Sequence, residues 1–175
     1  MKVEIENERK FLVRAAPLKT LVNGVGIAQG YFSAHWPAIV RVRIENNKRG
    51  FLTVKIKTAP DRKIEMESRI DIQTARELLN HTTLCLRKTR YKIGRLEIDV
   101  FHEELEGLVL AELELESVEQ MKEEVSFPPG FVVQEVTGSD WFDNHELARR
   151  RRVDAGWLYE MVKFCWGCKD VSGSV

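Results

Sequence analysis

Like-charged side chains recur in this sequence two residues apart: Glu6 and Glu8, Arg41 and Arg43, Lys55 and Lys57, Glu65 and Glu67, Lys88 and Arg90, Glu97 and Asp99, Glu112 and Glu114, with Lys10 following Glu8 at the same spacing. A spacing of two puts both members on one face of a β-strand, where like charges repel. Basic pairs suit phosphate oxygens, Arg through its bidentate fork and Lys as a point charge. Carboxylate clusters without His or Cys suit hard divalent cations, Mg²⁺ or Mn²⁺. Together they describe a polyphosphate held by cations and bridged to metal held by acids, the equipment of phosphoryl transfer. The plainer alternative is that each charged face is wetted by solvent, as in a half-buried antiparallel sheet.

The elements that position these pairs are strands whose opposite faces are apolar. Val40, Val42 and Ile44 oppose Arg41 and Arg43; Leu52, Val54 and Ile56 oppose Lys55 and Lys57; Ile64 and Met66 oppose Glu65 and Glu67. Ile98 and Val100 oppose Glu97 and Asp99, and Val109, Ala111, Leu113 and Leu115 oppose Glu112, Glu114 and Glu116. Turn residues at Asn46–Gly50 and Ala59–Pro60–Asp61 make the connections short, which favours antiparallel neighbours. Helical composition is confined to short stretches: Thr74–Asn80, Val118–Glu124 with Ser117 and Gln120 as a capping box, and Asp143–Arg152. Pro128-Pro129-Gly130 precedes one more strand, Phe131–Thr137. If such a sheet closes on itself, the acidic and basic sets share a wet lumen, because each ion taken from water must be paired or solvated.

With 175 residues and 43% hydrophobic content the chain is one globular domain, with no solenoid repeat and no linker. Its 27 Lys and Arg balance 27 Asp and Glu, so no global field draws it to nucleic acid or a membrane. No apolar run reaches the roughly 20 residues of a spanning helix, and the charged stretch from Met1 to Lys10 is no signal peptide. Cys85, Cys165 and Cys168 form an odd set that makes no disulfide framework, which fits the reducing cytoplasm. Cys165-Trp166-Gly167-Cys168 is a lone CxxC without the second pair of a zinc site. His35, His81, His102 and His145 have no metal-ligand spacing.

The run "ENERKFL" resembles the ExExK signature of the CYTH superfamily, the triphosphate tunnel metalloenzymes, with Glu6, Glu8 and Lys10 at its three positions. "QGYF", "VRVRI", "LTVK", "EME", "KTRY", "EIDVF", "AELEL" and "QEVT" follow in family order. The resemblance implies a mainly β (α+β) fold over residues 1–149, an eight-stranded antiparallel closed barrel with flanking short helices, and a lumen that binds a small-molecule triphosphate with Mg²⁺ or Mn²⁺. Lys10, Arg41, Arg43, Lys55, Lys88 and Arg90 would bind phosphates. Glu6, Glu8 and Glu114 would hold metal, helped by Glu65, Glu67, Asp99 and Glu112. Lys88 and Tyr31 resemble a Lys and Tyr pair that activates water in some relatives. Hydrolysis of inorganic tripolyphosphate to pyrophosphate and phosphate is the activity implied. Class IV adenylyl cyclase, thiamine triphosphatase and non-catalytic polyphosphate or nucleotide binding are the alternatives, and a homodimer is compatible with the family. Asp140-Trp141-Phe142-Asp143 departs from the basic and Tyr residues common there in relatives. Residues 150–175 are expected to form a C-terminal extension, helical through 154–165 and packed on the barrel by Leu158, Met161, Val162 and Cys165.

Overall fold

The alternating segments become strands throughout. In the computed structural model, which describes residues 2–5, 7–59, 62–122 and 124–150, they are β1 (Lys2–Ile5), β2 (Glu8–Ala15), β3 (Val25–His35), β4 (Ala38–Glu45), β5 (Arg49–Ala59), β6 (Arg62–Ile70), β7 (Leu84–Ile93), β8 (Leu96–Phe101), β9 (Val109–Glu114) and β10 (Val132–Glu135). Two α-helices, α1 (Ile72–Asn80) and α2 (Asn144–Arg149), accompany them. All pairings are antiparallel, in the order β1-β6-β5-β4-β3-β7-β8-β9-β2-β10.

The closed eight-stranded barrel is therefore not what forms. The sheet has ten strands and is open, with β1 and β10 at its edges. The first charged segment divides: β1 pairs with β6 from Lys2↔Glu67 to Ile5↔Ile64, whereas β2 pairs with β9 from Glu8↔Glu114 to Leu12↔Leu110. The other side of β2 is taken by β10, through Phe11↔Glu135, Leu12↔Gln134 and Val13↔Val133, so β2 has no edge left for β6. Three peptide units join Ile5 to Glu8 and reach at most about 11 Å. Chain continuity, without a ladder, thus brings the two sides of the sheet near each other.

The apolar faces point outward, and those of β4 and of β2, β8 and β9 are covered. Val42 and Ile44 of β4 pack under Ala75 of α1, with Leu78 and Leu79 alongside. Phe11, Val13, Ile98, Ala111 and Leu113 pack under Met121, Val125, Phe127 and Phe131 of the long β9–β10 connection. In that connection Val118–Lys122 forms a 3-10 turn where a helix over Val118–Glu124 is expected from composition, and Gln120 Oε1 accepts from the Glu116 N–H at 2.9 Å. A flat wrap buries Met121 against the sheet more readily than a protruding helix would.

The inner face is divided along its length. Two residues beyond Lys10, Arg41, Lys88, Asp99 and Glu112 stand Leu12, Ile39, Leu86, Phe101 and Leu110, all buried in one apolar cluster with Phe142 and with Leu147 and Ala148 of α2. One half of the interior is charged; the other half is plugged with hydrocarbon. The helix expected over Asp143–Arg152 is α2, which ends at Arg149, and the expected strand Phe131–Thr137 is the shorter β10. Residues 151–175, including Cys165 and Cys168, lie outside the described residues, as does Glu6. Among the described residues no helix is long and apolar enough to cross a membrane.

Two local features set the outer layer. The β4–β5 turn places Asn46 and Asn47 in the left-handed region, at φ 47° and 56°, which Asn tolerates better than most residues. At Gly50 an added Cβ would stand 2.5 Å from the Ala75 Cβ, so α1 lies close on β5 because that residue is glycine. Gly50→Ala is expected to lower the unfolding free energy by about 1–3 kcal/mol through overpacking, measured by urea denaturation at unchanged m-value.

Candidate active site

The charged half of the inner face bounds a cavity of about 220 Å³. Lys10 enters from β2, Arg41 and Arg43 from β4, Lys55 from β5, Lys63 from β6, and Lys88 and Arg90 from β7. Glu8 comes from β2, Glu65 and Glu67 from β6, Glu112 and Glu114 from β9. Asp143 reaches in from the residue before α2, followed by Asn144 and His145. Seven cations therefore face six carboxylates across one space.

Two networks share these charges. On the β4–β6 wall Arg43 Nη2 donates to both oxygens of Glu67 at 3.0 Å, Arg41 Nη2 to Glu65 at 3.3 Å, and Lys55 sits 2.7 Å from Glu65. Burial, then repulsion from Arg41, lowers the pKa of Arg43, and Glu67 and Glu45 offset this only in part. On the opposite wall Arg90 grips Asp99 with two bonds of 2.6 Å, donates to Glu112 at 2.7 Å and pairs with Glu97. Burial opposes the Arg90 charge, but these three acids outweigh it and raise its pKa well above the ordinary value. Lys10 is stabilised in the same way, against burial, by Glu8 at 3.4 Å, Glu112 at 3.5 Å and Asp143 at 3.2 Å.

Lys88 behaves differently. Its Nζ donates to Asp99 Oδ2 at 2.5 Å and to Asn144 Oδ1 at 3.2 Å. Asp99 is already engaged by Arg90, and burial outweighs its attraction, so the Lys88 amine falls to about 8. Among the acids the exception is Glu114, raised by burial and then by repulsion from Glu97 and Glu112. Glu112 shows the reverse: burial works against its charge, but Lys10, Arg90 and Lys88 hold its carboxyl well below the usual range.

Most residues singled out by spacing and resemblance meet here: Lys10, Tyr31, Arg41, Arg43, Lys55, Lys88, Arg90, Glu8, Glu65, Glu67, Glu112 and Glu114 all line the cavity. Asp99 does not line it; at 0% exposure it lies behind the wall and fixes Lys88 and Arg90. Tyr31 and Lys88 share the cavity with different partners, since the Tyr31 hydroxyl accepts from Gln29 Nε2 at 2.6 Å. Residues the spacing argument missed are Lys63, Trp36, Asp143, Asn144 and His145. Lys63 was within reach, because it continues the 63, 65, 67 alternation of β6. Asp143 to His145 come from outside the sheet, where alternation carries no signal.

No family model matches the chain. A relative does: the inorganic triphosphatase of Acetivibrio thermocellus is 36% identical over 152 residues, covering 82% of this chain and 93% of the relative. The chain belongs to the CYTH family of triphosphate tunnel metalloenzymes. A solved structure of the inorganic triphosphatase NE1496 matches this CYTH chain with a TM-score of 0.58 at 32% identity, over 82% of this chain and 93% of the other. The charge networks of the CYTH fold make a sharp stability test. Asp99→Ala takes the contacting carboxylate from buried Lys88 and two hydrogen bonds from Arg90, which keeps Glu97 and Glu112, and is expected to lower the unfolding free energy by about 3–5 kcal/mol in urea melts. Arg87→Ala, which breaks only the exposed pair with Glu103, should change it by about 1 kcal/mol or less.

Proposed function

We propose that this protein hydrolyses inorganic tripolyphosphate to pyrophosphate and phosphate, with Mg²⁺ or Mn²⁺ as cofactor. The observation that carries the reading is the convergence of seven cations from five strands on one cavity of about 220 Å³. That is below the ~300–1,000 Å³ of sites for drug-sized ligands and suits a compact polyanion. The 36% identical relative is an inorganic triphosphatase, which supports the same activity here. The balanced charge and the odd cysteine count support a cytoplasmic protein that acts on a small molecule, with no role for nucleic acid or a membrane.

The charge balance supports the cofactor. With six carboxylates already facing the seven cations, an entering triphosphate brings more negative charge than the small net positive charge of the cavity offsets, so it needs a cation of its own. Among the described residues no three His, Cys, Asp or Glu side chains form a ready metal cluster. The donor set nevertheless fits a hard cation: Glu8 and Glu114 are cross-strand partners on β2 and β9, both offer only oxygen, and burial together with Glu97 and Glu112 raises the Glu114 carboxyl further than Arg90 and Lys92 lower it. Glu8 and Glu114, with Glu112 beside them, would hold the ion. Bound there, the metal would draw charge from the phosphate oxygens and acidify a water.

The chain's own groups do the rest. Arg41, Arg43, Lys55 and Arg90 bind and orient the phosphates. Lys88, whose amine is neutral above about 8, accepts the proton of the attacking water. Tyr31, kept protonated because burial raises its phenol, donates a hydrogen bond to a phosphate oxygen while Gln29 holds the ring oxygen in place.

Phosphate release measured across tripolyphosphate, ATP, GTP, thiamine triphosphate and pyrophosphate, with each divalent cation, is expected to be fastest with tripolyphosphate and abolished by EDTA. Glu114→Gln should require more metal for half-maximal rate. Cyclic AMP as the main product from ATP, with tripolyphosphate inert, would overturn the reading. The pH profile tests Lys88 separately. Because the neutral amine is the active form, log kcat/KM should rise with pH and level off near 8, and Lys88→Met should lower kcat and remove that rising limb. An unchanged limb in the variant would leave Lys88 as a phosphate ligand only.

A further inference from the structure

The residue before α2 is an Asp, a type that normally turns its carboxylate onto its own helix to satisfy the first N–H groups. Asp143 does not do so: its side chain makes no capping bond, and only its carbonyl is used, by the Leu147 N–H at 2.9 Å. The carboxylate points instead into the cavity, with Oδ1 3.2 Å from Lys10 Nζ and Oδ2 3.9 Å from Lys63 Nζ. One oxygen for each of two ammonium groups is the way a phosphate would bridge them. Among the described residues it is the one lining carboxylate that does not come from the sheet.

The group is firmly held. Phe142 beside it is buried with Leu147 and Ala148 in the apolar plug, and the Phe142 carbonyl accepts from Lys10 Nζ at 3.4 Å. Burial favours the neutral acid, yet Lys10 and Lys63 lower its pKa, so the carboxylate stays charged. Swinging it out of the cavity would pull buried apolar side chains with it.

We infer that Asp143 is an internal anion standing in the phosphate position between Lys10 and Lys63, and that it limits the length of the polyphosphate chain the cavity accepts. The inference rests on the reading that the cavity binds a linear phosphate chain. A fourth phosphate group directed at these lysines meets a fixed like charge, which discriminates against longer chains by repulsion as well as by space. Tripolyphosphate, held by the remaining cations, does not need the position.

Binding of tripolyphosphate and tetrapolyphosphate is measured by calorimetry with Ca²⁺ present as a hard counter-cation for the wild type, Asp143→Ala, Asp143→Asn and Asp143→Glu, and turnover of both is measured separately with Mg²⁺. Asp143→Ala is expected to raise the ratio of tetrapolyphosphate to tripolyphosphate affinity by about tenfold, the scale of one like-charge contact removed. Asp143→Asn, which keeps the size and loses the charge, is expected to raise it at least fivefold, and Asp143→Glu to keep the wild-type ratio. A ratio changed less than fivefold in folded Asp143→Asn, checked by its thermal melt, overturns the assignment and leaves the hydrolysis of tripolyphosphate standing. A wild type that binds tripolyphosphate without hydrolysing it overturns the proposed activity, and the shift in ratio still decides the role of Asp143. Failure of the wild type to bind either chain overturns both.

Discussion

Cations gathered inside a protein repel one another, and the architecture of this chain follows from accommodating seven of them around one cavity. Taking an ion from water costs several kcal/mol unless it is paired and hydrogen-bonded. Each inward cation discussed here has a carboxylate within reach, and the carboxylates come from strands adjacent or near in the sheet: Glu65 and Glu67 for the β4–β5 cations, Glu97, Asp99 and Glu112 for Arg90. The curvature that turns these faces toward each other is thus stabilised by the charges it encloses. The apolar faces, turned outward, then require a second layer, which α1 and the β9–β10 connection supply.

Pairing is not uniform, and the departures lie where chemistry is proposed. Lys88 is buried, and Asp99, which also serves Arg90, offsets that burial only in part, so its amine falls to about 8. Burial, then repulsion from Glu97 and Glu112, raises the Glu114 carboxyl against the pull of Arg90 and Lys92. A base that can lose its proton and an acid whose charge is opposed by burial and acidic neighbours, on walls of one cavity, are the two conditions a metal-assisted hydrolysis calls for.

Much of this was legible in the sequence, and the reason is the period of the strand. A spacing of two residues assigns faces without ambiguity, so the Arg41 and Arg43, Glu65 and Glu67, and Lys88 and Arg90 pairs could be grouped before any coordinates. Three things were hidden. The apolar plug was hidden because Leu12, Leu86 and Leu110 continue the charged faces by one more step and look like a fault in the alternation. The open sheet was hidden because nothing in the stretch from Lys2 to Leu12 shows that its first part pairs with β6 and its second with β9, or that β10 takes the edge a closed barrel would use. Asp143 and Asn144 were hidden because they meet Lys10 and Lys88 from a turn far along the chain, a contact that only the packing of Phe142 and Leu147 determines.

The division of the first segment also bears on how the chain acquires its shape. β2 is flanked by β9 and β10, and both lie near the far end of the described chain. During synthesis a strand carrying Phe11, Leu12 and Val13 therefore waits with both hydrogen-bonding edges unsatisfied until β9 has been made, and with one edge unsatisfied until β10 follows. The hairpins from β3 to β6 can form locally in that time, whereas the pairing of β2 must bear the entropy of closing the longest loops in the molecule. The alternating charges Glu8, Arg9 and Lys10 keep that waiting edge soluble and discourage it from pairing with another copy. Glu8 and Lys10, which later line the cavity, thus act first as guards of an unpaired strand.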